Sequence, residues 1–238
     1  MLKIENLNKT FGKKQIFANL DATFGDTGVT LIVGINGVGK TTLLDTILGI
    51  SKYNSGTVEF NGLSSDQKKF KEQTFYVPSD FFLPEYMTGK EYSNFILKHY
   101  PNSNLAFFKK CSEWLGIKDS LNKTLETYSF GMKKKIQLAI MASSGTTLIL
   151  ADEIFNGLDF ETTIFVQNLL DKMSQSAKII IVSHEPSVID FYSEDIRILN
   201  NKKLERMYGT SEAVIEKVKK EGNLNSKLCQ MEKYFRTA

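Results

Sequence analysis

The chain has 238 residues, 42% of them hydrophobic, and a formal net charge of +3 from 30 basic and 27 acidic side chains. That length suits one large α/β domain, or a core with a small appended lobe, and the interspersed charges give no electrostatic case for nucleic acid. Cys111 and Cys229 have no metal-ligand spacing and fit a reducing compartment, while strand-sized apolar runs and a start without a signal-like segment predict a chain that does not itself cross a membrane.

Near the start, Leu2–Asn6 and Leu20–Phe24 alternate apolar with polar, as half-buried antiparallel strands do. Between them Phe11 stands in a polar segment, Lys9 to Lys13, which is predicted to be a loop. An aromatic ring exposed there could stack on a flat base such as adenine; read alone, it fits a small hydrophobic plug equally well.

The apolar run Val29–Val33 leads into Gly34-Ile35-Asn36-Gly37-Val38-Gly39-Lys40-Thr41-Thr42, and helical spacing follows to Gly49. Strand, glycine loop and helix make up the phosphate-binding loop G-x-x-x-x-G-K-S/T. The glycines let backbone N–H groups turn inward around phosphate oxygens, and the helix adds its positive dipole end. Lys40 is expected at the β/γ-phosphates and the Thr41 hydroxyl on Mg²⁺, a cation that prefers oxygen.

Gly56–Phe60 reads as a strand ending at the turn Asn61-Gly62, a charged stretch runs from Asp66 to Glu72, and a short strand, Thr74–Val77, stops at Pro78. From Ser79 to about Leu125 the spacing becomes helical. Tyr92, Phe95, Ile96 and His99 form one stripe, and Phe107, Phe108, Cys111, Trp114 and Leu115 a second; the aromatics are predicted to be core, and His99 a surface or packing residue. Tyr128-Ser129-Phe130-Gly131-Met132 then opens an apolar helix, where the serine and glycine suit either an anion site or a plain N-cap. The lysines behind it, Lys133-Lys134-Lys135, are predicted to be a solvated face.

Thr147–Ala151 is apolar throughout, hence a buried parallel strand, and it delivers Asp152 and Glu153 at its C-terminal end; Lys178–Val182 likewise delivers Ser183 and His184. Acids at such strand ends sit where ligands bind open α/β sheets: Asp152 can hold Mg²⁺ through water, and Glu153 can take a proton from an attacking water. A hairpin is predicted for Asp195–Leu199 and Lys203–Tyr208 around Asn200-Asn201. Two helical stretches follow, the second with a stripe of Leu224, Leu228, Met231 and Phe235.

Taken in order, Phe11, Gly34 to Thr42, Tyr128 to Met132, Leu148 to Asp159 and Ser183-His184 resemble the ATP-binding-cassette (ABC) ATPases over nearly the whole chain. The resemblance implies a P-loop NTPase, α/β, with a mixed-sheet core over 1–78 and 146–208, an N-terminal antiparallel β subdomain, an inserted α-helical subdomain over 79–145 and a helical extension over 209–238. It implies ATP and Mg²⁺ as ligands. Phe11 would stack on adenine, and Gly34, Asn36, Gly37, Val38, Gly39, Lys40, Thr41 and Thr42 would bind ATP. Glu153 and His184 would be catalytic, and Thr41 and Asp152 would ligate the metal. A second subunit, identical or not, would offer Ser129, Gly131 and Asp159 in trans. Three positions depart from the family pattern: Ser79 stands where a metal-touching glutamine is usual, Phe130 replaces a signature glycine, and Ile154 replaces a proline.

By that resemblance the chain is expected to be the ATP-hydrolysing subunit of an exporter-like transporter, cytoplasmic and held at the inner face of the membrane by separately encoded permease subunits, with no nucleic acid partner. The competing readings are a soluble ABC ATPase acting on nucleic acid, ribosomes or cofactor assembly, and a cassette that binds ATP as a switch but barely hydrolyses it.

Overall fold

The computed structural model describes residues 1–80, 82–221 and 224–237. Two sheets organise it. A long hairpin, β1 (Leu2–Phe11) and β2 (Lys14–Phe24), pairs antiparallel with β4 (Ser55–Phe60) in the order β2-β1-β4. A six-stranded sheet runs β5-β6-β7-β3-β8-β9, formed by β5 (Thr74–Val77), β6 (Leu148–Asp152), β7 (Lys178–Val182), β3 (Gly28–Val33), β8 (Ile196–Asn200) and β9 (Lys203–Met207). It is parallel except for its edge strand β9, which pairs antiparallel with β8.

The continuous apolar character of the central strands follows from burial on both faces. Leu31, Val33, Ile149, Ala151, Ile179 and Ile181 pack into one core with the helices α3 (Gly89–Leu97), α4 (Leu105–Trp114), α5 (Phe130–Ser143) and α6 (Phe160–Ser174). Their alternates Ile32, Leu148, Leu150, Ile180 and Val182 face the other way, onto α1 (Lys40–Ile47) and the three-stranded sheet, where Phe17, Phe24 and Phe60 are fully enclosed. The phosphate loop therefore leaves a strand and enters a helix that are both held by a packed core.

The structure revises several expectations. Phe11 ends a strand beside a tight hairpin turn at Gly12-Lys13, because β1 and β2 extend through the polar segment predicted to be a loop. The charged stretch is largely a helix, α2 (Lys68–Gln73), anchored by buried Phe70. Phe95 and Trp114 are exposed, not core: the buried face of α3 is Gly89, Ser93 and Leu97, and Trp114 rests edge-on against Phe107 at 6.0 Å between ring centres. The late hairpin turns at Asn201-Lys202, both with positive φ, one residue beyond the predicted pair. α7 (Pro186–Phe191) follows β7 and α8 (Ser211–Glu221) follows the edge strand β9, and α9 (Leu224–Thr237) exposes Met231 and Phe235; the side chains of Leu224 and Leu228 lie outside the described residues.

Candidate active site

Residues 34–39 turn from β3 into α1, and the Val38 N–H donates back to the Ile35 carbonyl at 3.3 Å. Gly39 has φ +116°, and an added Cβ would stand 2.6 Å from Ile16 Cγ2, so both conformation and space require glycine there. The Lys40 ammonium is buried and donates to the carbonyls of Gly34 at 2.8 Å and Ile35 at 3.2 Å. Burial lowers its pKa, against the opposing pull of Glu153 and Asp152.

This loop forms one wall of a cavity of about 430 Å³, of a size that holds small ligands. Phe11 forms another, with Ile16, Asn36, Gly37, Thr41 and Thr42 between them. The Phe11 ring is about half exposed, at 51%, and the Lys9 ammonium sits 4.3 Å from its centre, which keeps the ring at the cavity mouth.

Thr41 links the cavity to the acids. Its hydroxyl donates to Asp152 Oδ2 at 2.6 Å, across the space between α1 and the end of β6. Burial pushes the Asp152 carboxyl up, partly offset by the Thr41 hydrogen bond and by the cations of Lys40 and Lys134. Asp45 and Tyr76 face the same carboxylate, and burial together with that negative charge raises both. The oxygens of Thr41 and Asp152 are hard donors, few enough to leave positions for water and phosphate, as Mg²⁺ requires, and so the donor set fits that cation.

Glu153 adopts φ +48°, unusual for a side chain with a Cβ, and its N–H is held by the Val182 carbonyl at 2.9 Å. Its two carboxylate oxygens are used differently. Oε1 lies 2.7 Å from His184 Nδ1, whereas Oε2 is buried with no hydrogen-bond partner among the described residues. A carboxylate fixed by one oxygen, with an acceptor to spare on the other, has the form of a general base. The neighbouring strands β6 and β7 thus bring Asp152, Glu153 and His184 to one sheet end.

The remaining expected residues form a second group. Ser129 caps α5, accepting from Met132 N–H at 3.3 Å. Asp159 caps α6 through Thr162, and hydrogen bonds from the Thr162 backbone and hydroxyl and from Lys135 hold its carboxyl well below the usual range. The Phe130 ring lies over Gly157, where an added Cβ would come within 2.4 Å of it, and an added Cβ on Gly131 would be 3.4 Å from the Gly157 carbonyl. Ser129, Gly131 and Asp159 do not line the Phe11–Lys40 cavity, and neither do Gly34, Val38, Asp152, Glu153 and His184, nor Ser79, half-buried on the loop after β5.

The lysine run is not a solvated face. Lys133 pairs with Glu85 at 2.7 Å, Lys135 with Asp159 at 3.0 Å, and Lys134 is fully buried beneath the loop after β5. Three successive helical residues point about 100° apart, so each lysine meets a different neighbour. Lys134, Asp45 and Tyr76 were not singled out from sequence for this site; the only signal for Lys134 was its place beside apolar Ile136 in the helix.

A family profile described as "ABC transporter" matches residues 17–156. YdbJ of Bacillus subtilis, an uncharacterized ABC transporter ATP-binding protein, is 32% identical over 166 residues, 67% of this chain and 52% of its own, so the chain spans about half of that relative's length. The lantibiotic transport ATP-binding protein SrtF of Streptococcus pyogenes is 27% identical over 91% of this chain and 95% of its own. The solved dimeric structure of the ATP-binding cassette MJ0796, in a post-hydrolysis state bound to ADP and Pi, superposes with a TM-score of 0.75 at 21% identity, covering 88% of this chain and 100% of that one, a likeness of fold.

Proposed function

The chain belongs to the ABC transporter family of ATP-binding proteins, and on that premise we propose that it binds and hydrolyses ATP at the Phe11–Lys40 cavity to drive separately encoded permease subunits of an exporter-like transporter. The observation that carries this reading is the continuity supplied by Thr41. It lines the cavity and hydrogen-bonds Asp152, and the next residue, Glu153, is the carboxylate oriented by His184. A stacking ring, a phosphate loop, a metal-ligating pair and a base are thereby joined through one hydrogen bond and one peptide link.

Phe11 stacks on the adenine ring, and Asn36, Gly37, Val38 and Gly39 present backbone amides, with Gly34 at the loop's entry and Thr42 following Thr41 on α1. Lys40 exchanges the carbonyls of Gly34 and Ile35 for phosphate oxygens, trading neutral acceptors for charged ones in a partly dry site. Thr41 and Asp152 would hold Mg²⁺, which supplies charge neutralisation at the phosphates; the shorter Ser79 side chain, on the loop after β5, would reach the metal only through water. Glu153 Oε2 accepts the proton of the attacking water while the Oε1 contact with His184 fixes the carboxylate plane.

A second subunit, identical or homologous, would bring its Ser129, Gly131 and Asp159 against the nucleotide. The packing of Phe130 on Gly157 and of Lys135 on Asp159 supports that arrangement, because it keeps the three residues together as one surface. For the permease, the groove of about 450 Å³ lined by Phe75, Pro78, Asp80, Phe82, Tyr92 and Ile96 is the proposed docking place, with Phe82 and Tyr86 exposed beside it. No helix among the described residues is long and apolar enough to cross a membrane, and attachment to the inner face of the cell membrane would run through that groove. Phosphate release from Mg·ATP by the purified protein, abolished by EDTA and by Lys40→Met, is the expected result; equal release by the parent and Lys40→Met would overturn the reading.

A further inference from the structure

Lys134 is the one lysine of its run that reaches the catalytic end of the sheet. Its side chain is fully buried, and its ammonium donates to the Pro78 carbonyl at 3.4 Å. Val77 pairs with Ala151 in the parallel ladder between β5 and β6, so Pro78 and Asp152 stand side by side just beyond it. Burial lowers the pKa of Lys134 to about 8, against the opposing pull of Asp152, Asp80 and Glu153, which come from two different strand ends. A fully buried ammonium is costly unless anions compensate it, and an apolar side chain would fill that place without the penalty. The charge is therefore tied to the acids it faces.

We propose that Lys134 is a positioning residue for the Asp152–Glu153 pair: its buried ammonium pins the loop after β5 to the tip of β6 and holds both carboxylates in the geometry that hydrolysis needs. The inference rests on the ATPase reading above. Because Lys134 lies on the helix that Ser129 caps, it also connects the surface offered to a partner's nucleotide with the acids of its own site.

The test compares phosphate release by the full chain and its Lys134→Met and Lys134→Arg variants across ATP and Mg²⁺ concentrations, with melting curves. Lys134→Met is expected to lower kcat about 10- to 100-fold, the usual loss when an outer-shell partner of a metal site is removed, while KM for ATP stays within about twofold. The Mg²⁺ concentration for half-maximal rate should not rise, since the cation removed was repelling the metal, and Lys134→Arg should recover most of kcat. An unchanged kcat in Lys134→Met, or a joint loss of kcat, ATP affinity and melting temperature that arginine does not rescue, would overturn the inference alone. A parent chain that releases no phosphate would overturn the ATPase reading beneath it.

Discussion

Replacing Glu153 with glutamine keeps the volume, the φ +48° backbone and a hydrogen-bonding partner for His184, and removes one chemical property. In the parent, Oε1 is engaged by His184, and Oε2, buried and unpaired among the described residues, is the proposed acceptor for the attacking water. If the glutamine oxygen takes the His184 contact, its NH₂ group occupies the Oε2 position, so a donor points where the attacking water needs an acceptor. Loss of a general base costs about 10²- to 10⁴-fold in rate, or about 2.7 to 5.4 kcal/mol of barrier. ATP affinity should stay near the parent's, because Phe11 and residues 34–42 are untouched. The assay is steady-state phosphate release, with size-exclusion chromatography in Mg·ATP: the variant should accumulate as an ATP-bound dimer that the parent forms only transiently. Phosphate release at the parent rate would refute the assignment of the base.

Other perturbations follow from the same geometry. Phe11→Ala removes the stacking ring, and a lost base–aromatic stack of about 1–3 kcal/mol should weaken ATP binding by about 5- to 150-fold while kcat at saturation holds; unchanged binding would return Phe11 to the role of a hydrophobic plug. Gly157→Ala puts a Cβ at φ +79° and within 2.4 Å of the Phe130 ring, and should cost about 1–3 kcal/mol in urea unfolding; adding Phe130→Ala should recover the steric part and leave the backbone part. Lys178 is buried, and desolvation depresses its pKa to about 8 despite Asp195 nearby. Between that value and the unfolded pKa of about 10.4 the unfolded chain binds the extra proton, so raising pH disfavours unfolding and this lysine's contribution to stability rises through the window. The urea midpoint of the parent, measured relative to Lys178→Met, should therefore increase from pH 7.5 to 9.5; a flat or falling difference would contradict the buried, depressed lysine.

What the sequence made legible was what short-range chemistry dictates. The phosphate loop is contiguous, and its glycines and Lys40 follow from the geometry of a strand entering a helix. The strands ending at Asp152 and Val182 announce themselves because burial on both faces demands unbroken apolar runs. The pairing of Glu153 with His184 crosses 31 residues and depends on β6 lying beside β7, which the ladder supplies and the local sequence does not. Helical spacing identified stripes without saying what each would meet, so Phe95 and Trp114, assigned to the core, emerged on the surface. Lys134 shows the same limit in reverse: a lysine among lysines reads as solvated until the fold places Pro78 and the carboxylates around it. The turn at Asn201-Lys202 was displaced by one residue because asparagine at 200 and 201 offers two equivalent starts, and the register of β8 on β9 selects the second.

The central claim is that Phe11 and the loop ending in Lys40 enclose ATP. Equilibrium dialysis of radiolabelled ATP against the parent and Lys40→Met, in Mg²⁺ at equal protein concentration, tests it most directly. One nucleotide per parent chain at saturation, with binding to Lys40→Met weakened at least tenfold, is the expected result; a parent that retains no nucleotide, or a variant that binds as tightly, would contradict the account.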